Sequence, residues 1–107
     1  MDVYETDTAL VVQIEVAGVL PEDLNVAVEG DTLAIWGCRR EARMPGNKVY
    51  YQTGINYGSF LVRLDLPVTV DPEASTAVYE QGFLTVTLPK QSPTVAQARR
   101  IQVNISP

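Results

Sequence analysis

The chain has 107 residues, 46% of them hydrophobic and 20% charged, which suits a single folded domain with one modest core and excludes a disordered chain. Its formal net charge of −5 is unevenly spread, because Met1 to Gly37 carries Asp2, Glu5, Asp7, Glu15, Glu22, Asp23, Glu29 and Asp31 and no basic residue. The basic residues gather only at Arg39, Arg40 and Arg43 and at Arg99 and Arg100, too few for the broad cationic face of a nucleic-acid binder.

In chain order the dominant pattern is alternation of period two, which sends every second side chain to one face of a strand. Leu10, Val12, Ile14 and Val16 alternate, then Leu24, Val26 and Val28, and beyond the Gly30-Asp31 turn Leu33 and Ile35, which predicts three strands. Val49-Tyr50-Tyr51 reads as a further short strand between Gly46 and Gly54. Phe60, Val62, Leu64 and Leu66 alternate up to Pro67, and Leu84, Val86 and Leu88 up to Pro89. The stretches from Pro21 and from Pro72 echo each other, each with a leucine twelve positions after the proline and each reading as turn, strand, hairpin, strand. No segment offers a crossover helix, so the expectation is an all-β, antiparallel sandwich.

From Gln91 to Gln97 the chain is small, polar and interrupted by Pro93, the composition of an extended surface connection. Ile101, Val103 and Ile105 then stand at every second position, so three β-branched side chains project from one side of an extended tail that cannot bury them by itself. The chain therefore divides into a domain, residues 1–90, and an extension, residues 91–107.

Catalytic chemistry is poorly represented. Without histidine there is no Ser/His or Cys/His nucleophile, and the adjacent acids Glu22-Asp23 and Asp71-Pro72-Glu73 fall in turns that favour acidic residues on structural grounds. No phosphate loop, calcium loop or zinc spacing occurs, so neither an enzyme nor a cofactor is expected. The lone Cys38 cannot form an internal disulfide, and a chain of this size without one fits a reducing cytoplasm. No apolar stretch approaches the ~20 residues that cross a bilayer, and no membrane partner is expected. Cys38 precedes Arg39 and Arg40, which could activate a thiol, although an ordinary strand cysteine explains it as well. Trp36 falls on the opposite side of its strand from Leu33 and Ile35, on the face left for solvent, a loop or a partner.

The run from Ala77 to Lys90, AVYEQGFLTVTLPK, resembles the signature of the small heat-shock proteins: alanine, three residues, a polar residue, Gly-x-Leu, and a strand ending in Pro-Lys. Val16-Ala17-Gly18-Val19 leading into Pro21-Glu22-Asp23-Leu24, Tyr57-Gly58-Ser59-Phe60 leading to Leu66-Pro67, and the tail motif Ile101-Gln102-Val103 resemble further family features, in the family's order. The resemblance implies an immunoglobulin-like α-crystallin domain that binds unfolding client proteins without ATP and forms a homodimer and higher homo-oligomers. It implies a groove for tail or client between the strand of Leu24, Val26 and Val28 and the strand from Ala74 to Tyr79, filled by a neighbour's tail; because Ala77 and Tyr79 hold the family's inward positions, Ala74, Thr76 and Val78 are expected to line it on the second strand. It also implies a dimer loop from about Arg43 through Val49, Tyr50 and Tyr51 that carries a strand into the partner's sheet.

The sequence departs from the family pattern in places. Gln81 stands where Asn or Asp is usual, Val62 where Arg is frequent, and Gly54-Ile55 where a Glu-Arg pair is frequent, so salt bridges between subunits are not expected at those positions. The N-terminal arm usual in the family does not precede the first strand, and large oligomers and full client capacity are expected to suffer. The competing readings are a p23-like co-chaperone, which shares the sandwich but lacks the tail motif, and an extracellular β-sandwich adhesion or ligand-binding module.

Overall fold

The structure is a computed structural model that describes residues 1–42, 44–91 and 99–105. Among these residues nine strands follow in order, β1 (Asp2–Glu5), β2 (Ala9–Glu15), β3 (Leu24–Glu29), β4 (Thr32–Arg39), β5 (Gly58–Asp65), β6 (Thr76–Glu80), β7 (Phe83–Pro89), β8 (Arg99–Ile101) and β9 (Val103–Ile105), with one 3-10 turn at Pro21–Asp23. They form two sheets, β1-β2-β7-β6-β9 and β5-β4-β3-β8. The sheets face each other as an immunoglobulin-like sandwich, with pairing antiparallel except between β6 and β9.

The alternation predicted from the sequence is what the core uses. Leu10 and Val12 from β2, Leu24, Val26 and Val28 from β3, Leu33 and Ile35 from β4, and Leu84, Val86 and Leu88 from β7 are all buried in one cluster. Because side chains alternate, a slip of one residue in any of these ladders would turn its whole apolar set to water, so burial itself pins the register. The observed pairings Val26↔Ile35 and Val12↔Val86 put apolar partners directly opposite each other.

The two echoed stretches are the hairpins β3–β4 and β6–β7, with Glu29 opposite Thr32 and Glu80 opposite Phe83. In the second, both turn residues take positive φ, 51° at Gln81 and 84° at Gly82, the conformation that suits the right-handed strand twist. Gly82 has a further reason to be glycine: a Cβ there would lie 3.2 Å from the Ala17 Cβ, while its carbonyl accepts a 2.7 Å hydrogen bond from the Val16 amide. Gly37 is required by proximity alone, since a Cβ would meet the backbone oxygen of Asp23.

Two differences from the sequence reading stand out. Val49-Tyr50-Tyr51 is not a strand; among the described residues the segment between β4 and β5 finds no ladder partner, and Met44, Val49, Tyr50, Tyr51, Ile55 and Tyr57 are exposed. β1, by contrast, is a strand without a strong alternation signal, since all four of its residues are exposed and backbone pairing to β2 alone defines it.

Gln81 is the one non-glycine among the described residues with positive φ, and asparagine tolerates that conformation better. Gln81→Asn should raise the unfolding free energy by on the order of 0.5 kcal/mol, read as a higher urea midpoint at unchanged slope.

Candidate functional site: an edge groove and its tail

The two sheets part along one side, where β3 ends one sheet of the domain and β6 ends the other. Each would present an unpaired row of backbone donors and acceptors there, beside the buried side chains of Val26, Val28 and Ala77. The tail covers both. β8 pairs antiparallel with β3, placing Ile101 opposite Val26, and after Gln102 the chain steps across to β9, which pairs parallel with β6 and places Val103 opposite Ala77. Ile101 is only 4% exposed and joins the core cluster, and Val103 packs against it half-buried. Ile105, opposite Tyr79, stays exposed.

The groove residues expected on β3, namely Leu24, Val26 and Val28, all face the interior, and Val26 and Val28 lie in the stretch paired to the tail. On β6 the lining differs from the sequence reading. Ala77 and Tyr79 turn toward the core and the tail, whereas Thr76 and Ala74 are exposed and Val78 lies in a shallow depression on the outer face with Phe83 and Thr85. The physical reason is parity: Ala77 fills an interior position, so Thr76 and Val78 must point outward, and the small Ala77 leaves room for the Val103 side chain.

The sequence reading places a neighbour's tail in the groove; in this single chain its own tail occupies it. The connection from Gln91 to Ala98 spans eight residues, a reach of roughly 27 Å when extended, and closing so short a loop costs little compared with capturing a separate molecule. Residues 92–98 themselves lie outside the described residues.

The outer face of the β3-β4-β5-β8 sheet carries the residues that alternation left unassigned. Trp36 is half-buried there beside its cross-strand neighbour Leu61, which is exposed. The Arg100 guanidinium lies 5.9 Å from the Trp36 ring centroid and donates a hydrogen bond to Asn25 Oδ1. Nothing in periodicity announced this contact, because Asn25, Trp36 and Arg100 come from three strands. Cys38 lies half-buried on the same face opposite Ser59. The cations that follow it are engaged elsewhere: Arg39 donates to the carbonyls of Ala17 at 2.9 Å and Asn56 at 3.1 Å, and Arg40 pairs with Asp23 Oδ1 at 2.6 Å. That pairing raises the Arg40 pKa through the Asp23 hydrogen bond and charge.

The proposed dimer loop, between β4 and β5, stands apart from the sandwich. Val49 and Tyr51 are 81% and 101% exposed, and Met44, Tyr50, Ile55 and Tyr57 are exposed as well. Arg43 lies outside the described residues. One polar cluster organises the loop: Glu41 Oε1 accepts from Tyr50 Oη at 2.8 Å and from Lys48 Nζ at 3.1 Å, while Lys48 Nζ sits 4.9 Å from the Tyr50 ring centroid. At the outer edge of the five-stranded sheet, β1 exposes Val3 and Tyr4. Among the described residues no cluster of three or more cysteine or acidic side chains could hold a metal ion, and no helix is long and apolar enough to cross a membrane.

A nine-stranded immunoglobulin-like sandwich, its seam closed by an Ile-x-Val tail and its longest loop projecting outward, defines an α-crystallin domain. Residues 2–104 match the Hsp20/alpha crystallin family, and the chain belongs to that family of small heat-shock proteins. It is 30% identical to small heat shock protein C2 of Rickettsia felis over 102 residues, 95% of this chain. It is 36% identical to the 18.1 kDa class I heat shock protein of Oryza sativa subsp. japonica over 104 residues, 96% of this chain. The chain spans 65% of the length of each of these relatives. Among solved structures, heat shock protein 16.0 from Schizosaccharomyces pombe superposes with a TM-score of 0.75 at 31% identity, covering 90% of this chain and 91% of the other. A small heat-shock protein from Xylella fastidiosa gives 0.74 at 30% identity, covering 96% and 93%.

The loop cluster has a defined pH window. The hydrogen bond from Tyr50, then Lys48, lowers the Glu41 pKa, so this contribution is present above the ordinary glutamate range and is lost as pH falls through the lowered folded value. Lys48 is raised by its hydrogen bonds with Tyr50 and Glu41, so its contribution is present below the ordinary lysine range and lost as pH rises through the raised value. In an NMR titration the Tyr50 ring signals should move at acid pH together with the Glu41 carboxyl, and Glu41→Gln should abolish that acid step while leaving the Val26 methyl signals in place.

Proposed function

We propose that this chain is an ATP-independent cytoplasmic holdase that binds unfolding proteins and assembles through its C-terminal tail. The observation that carries the reading is the seam between β3 and β6, which accepts an extended aliphatic segment by strand addition on both sides, with Val26 and Ala77 opposite its two anchors. Membership of the small heat-shock proteins supports a chaperone role in general.

Burial of Ile101 and partial burial of Val103 contribute about 3 to 5 kcal/mol before ordering costs. A contact of that size opens readily. The chain's own tail is therefore a closed form, and exchange of tails between subunits makes the same contacts without new chemistry, as in domain swapping. Several exchanged tails hold an assembly by avidity, while heating frees individual seams for exposed apolar segments of other proteins. Tail and client compete for one groove. A p23-like co-chaperone would have no use for this tail.

The loop with Val49, Tyr50 and Tyr51 supplies the second contact. Its exposed apolar side chains support a role in a dimer in which it adds a strand to the partner's sheet at the free edge β1.

Two measurements test the assembly. Ile101→Gly with Val103→Gly should reduce the mass of any oligomer by light scattering, and unchanged mass removes the tail from assembly. Deleting residues 45–51 should leave a monomer in sedimentation, and an intact dimer rules out strand exchange through the loop. The holdase itself is tested by heating a model client without nucleotide. A substoichiometric to equimolar amount of this protein should keep the client from scattering light, and no suppression favours the co-chaperone reading.

A further inference from the structure

The tail sequence poses a register problem. Ile101, Val103 and Ile105 repeat every second residue, so sliding the tail along β3 by two positions would offer the groove another aliphatic side chain with the same backbone pairing. The aliphatic anchors alone distinguish these registers weakly. The residues that precede them do not repeat: Arg100 comes before Ile101, but Gln102 before Val103 and Asn104 before Ile105.

We propose that Asn25 and Trp36 form a recognition subsite for Arg100, which sets the register of the tail and selects donor chains carrying a cation immediately ahead of the first aliphatic anchor. Arg100 lies opposite Ala27 on β3, so its side chain emerges on the outer face while Ile101 enters the core. From there the guanidinium reaches diagonally to the Trp36 ring, 5.9 Å from its centroid, and donates to Asn25 Oδ1. The Asn25 amide is held for this task, since its Nδ2 donates to the Trp36 carbonyl at 3.4 Å and leaves Oδ1 turned out as the acceptor. Asn25 and Trp36 are themselves cross-strand partners, so the two halves of the subsite are fixed to each other by the β3–β4 ladder. A planar guanidinium can lie over an aromatic face and donate sideways together, which a glutamine or asparagine in a slipped register cannot reproduce. β3 is thereby gripped from both sides, by Ile101 within and Arg100 without.

This inference rests on the reading of the seam as a tail receptor, and the experiment separates the two. Hydrogen exchange is followed in the intact chain over residues 24–29 and 99–105, with the emission of Trp36, the single tryptophan, as a second channel. Arg100→Met should speed exchange in both segments about three- to tenfold and shift the emission. Arg100→Lys should restore part of the protection, because the cation remains but the fork is lost. In a Trp36→Leu background the Arg100→Met change should shrink markedly. If Arg100→Met exchanges like the parent while Ile101→Gly with Val103→Gly opens both segments, the subsite is refuted and the receptor stands. If the double glycine variant opens neither segment, the receptor and the subsite both fall.

Discussion

The whole molecule turns on one seam, where two β-sheets separate along the edges of β3 and β6 and would otherwise leave both backbone and core side chains open. A sandwich of this kind cannot close that side with its own consecutive strands, because β3 and β6 each already pair on their other flank, with β4 and β7. The missing partner must be extended, must offer hydrogen bonds in two directions, and must carry aliphatic groups two residues apart. The tail meets all three conditions with five residues, Ile101 to Ile105. A short stretch with two anchors is strong enough to seal a core and weak enough to leave it, and the proposed chaperone behaviour depends on that balance.

The loop between β4 and β5 has the opposite character. It contributes nothing to the core and exposes several large apolar side chains, yet the Glu41, Lys48 and Tyr50 cluster gives it internal order. All three groups are exposed, so the cluster is screened by solvent and salt and biases the loop rather than locking it. Seam and loop are the two features on which the proposed strand addition rests, one lined by buried aliphatic side chains and the other by exposed apolar ones. The outer face with Trp36 adds a third feature, in which an aromatic ring that faces away from the core grips the tail from outside.

Much of this was legible in the residues. Period-two alternation located β2, β3, β4, β5 and β7, because those strands bury one face and expose the other. Pro67 and Pro89 end or interrupt two runs for the expected reason, the missing amide. The Ile101-Gln102-Val103 spacing announced a tail that needs an acceptor. Legibility failed where burial gives no periodic signal: β1 is wholly exposed, and Val49-Tyr50-Tyr51 looks like a strand although it pairs with none of the described strands. The lining of β6 was assigned to Ala74, Thr76 and Val78 because Ala77 and Tyr79 hold the inward positions, yet it is that inward set that lies opposite the tail, so one face serves both core and groove.

The sequence by itself determined the class of fold, the strands that build its core and the need of the aliphatic tail for a receptor, since these follow from local period and side-chain type. Only the tertiary structure decided that the tail returns to its own seam, that Ala77 and not Thr76 or Val78 meets it, and that Asn25, Trp36 and Arg100 come together. Those outcomes depend on which edges remain open after the sheets assemble and on contacts across residues 11 to 75 positions apart in the chain. No local pattern carries that information, because a strand records which face it buries but not what will lie beside it.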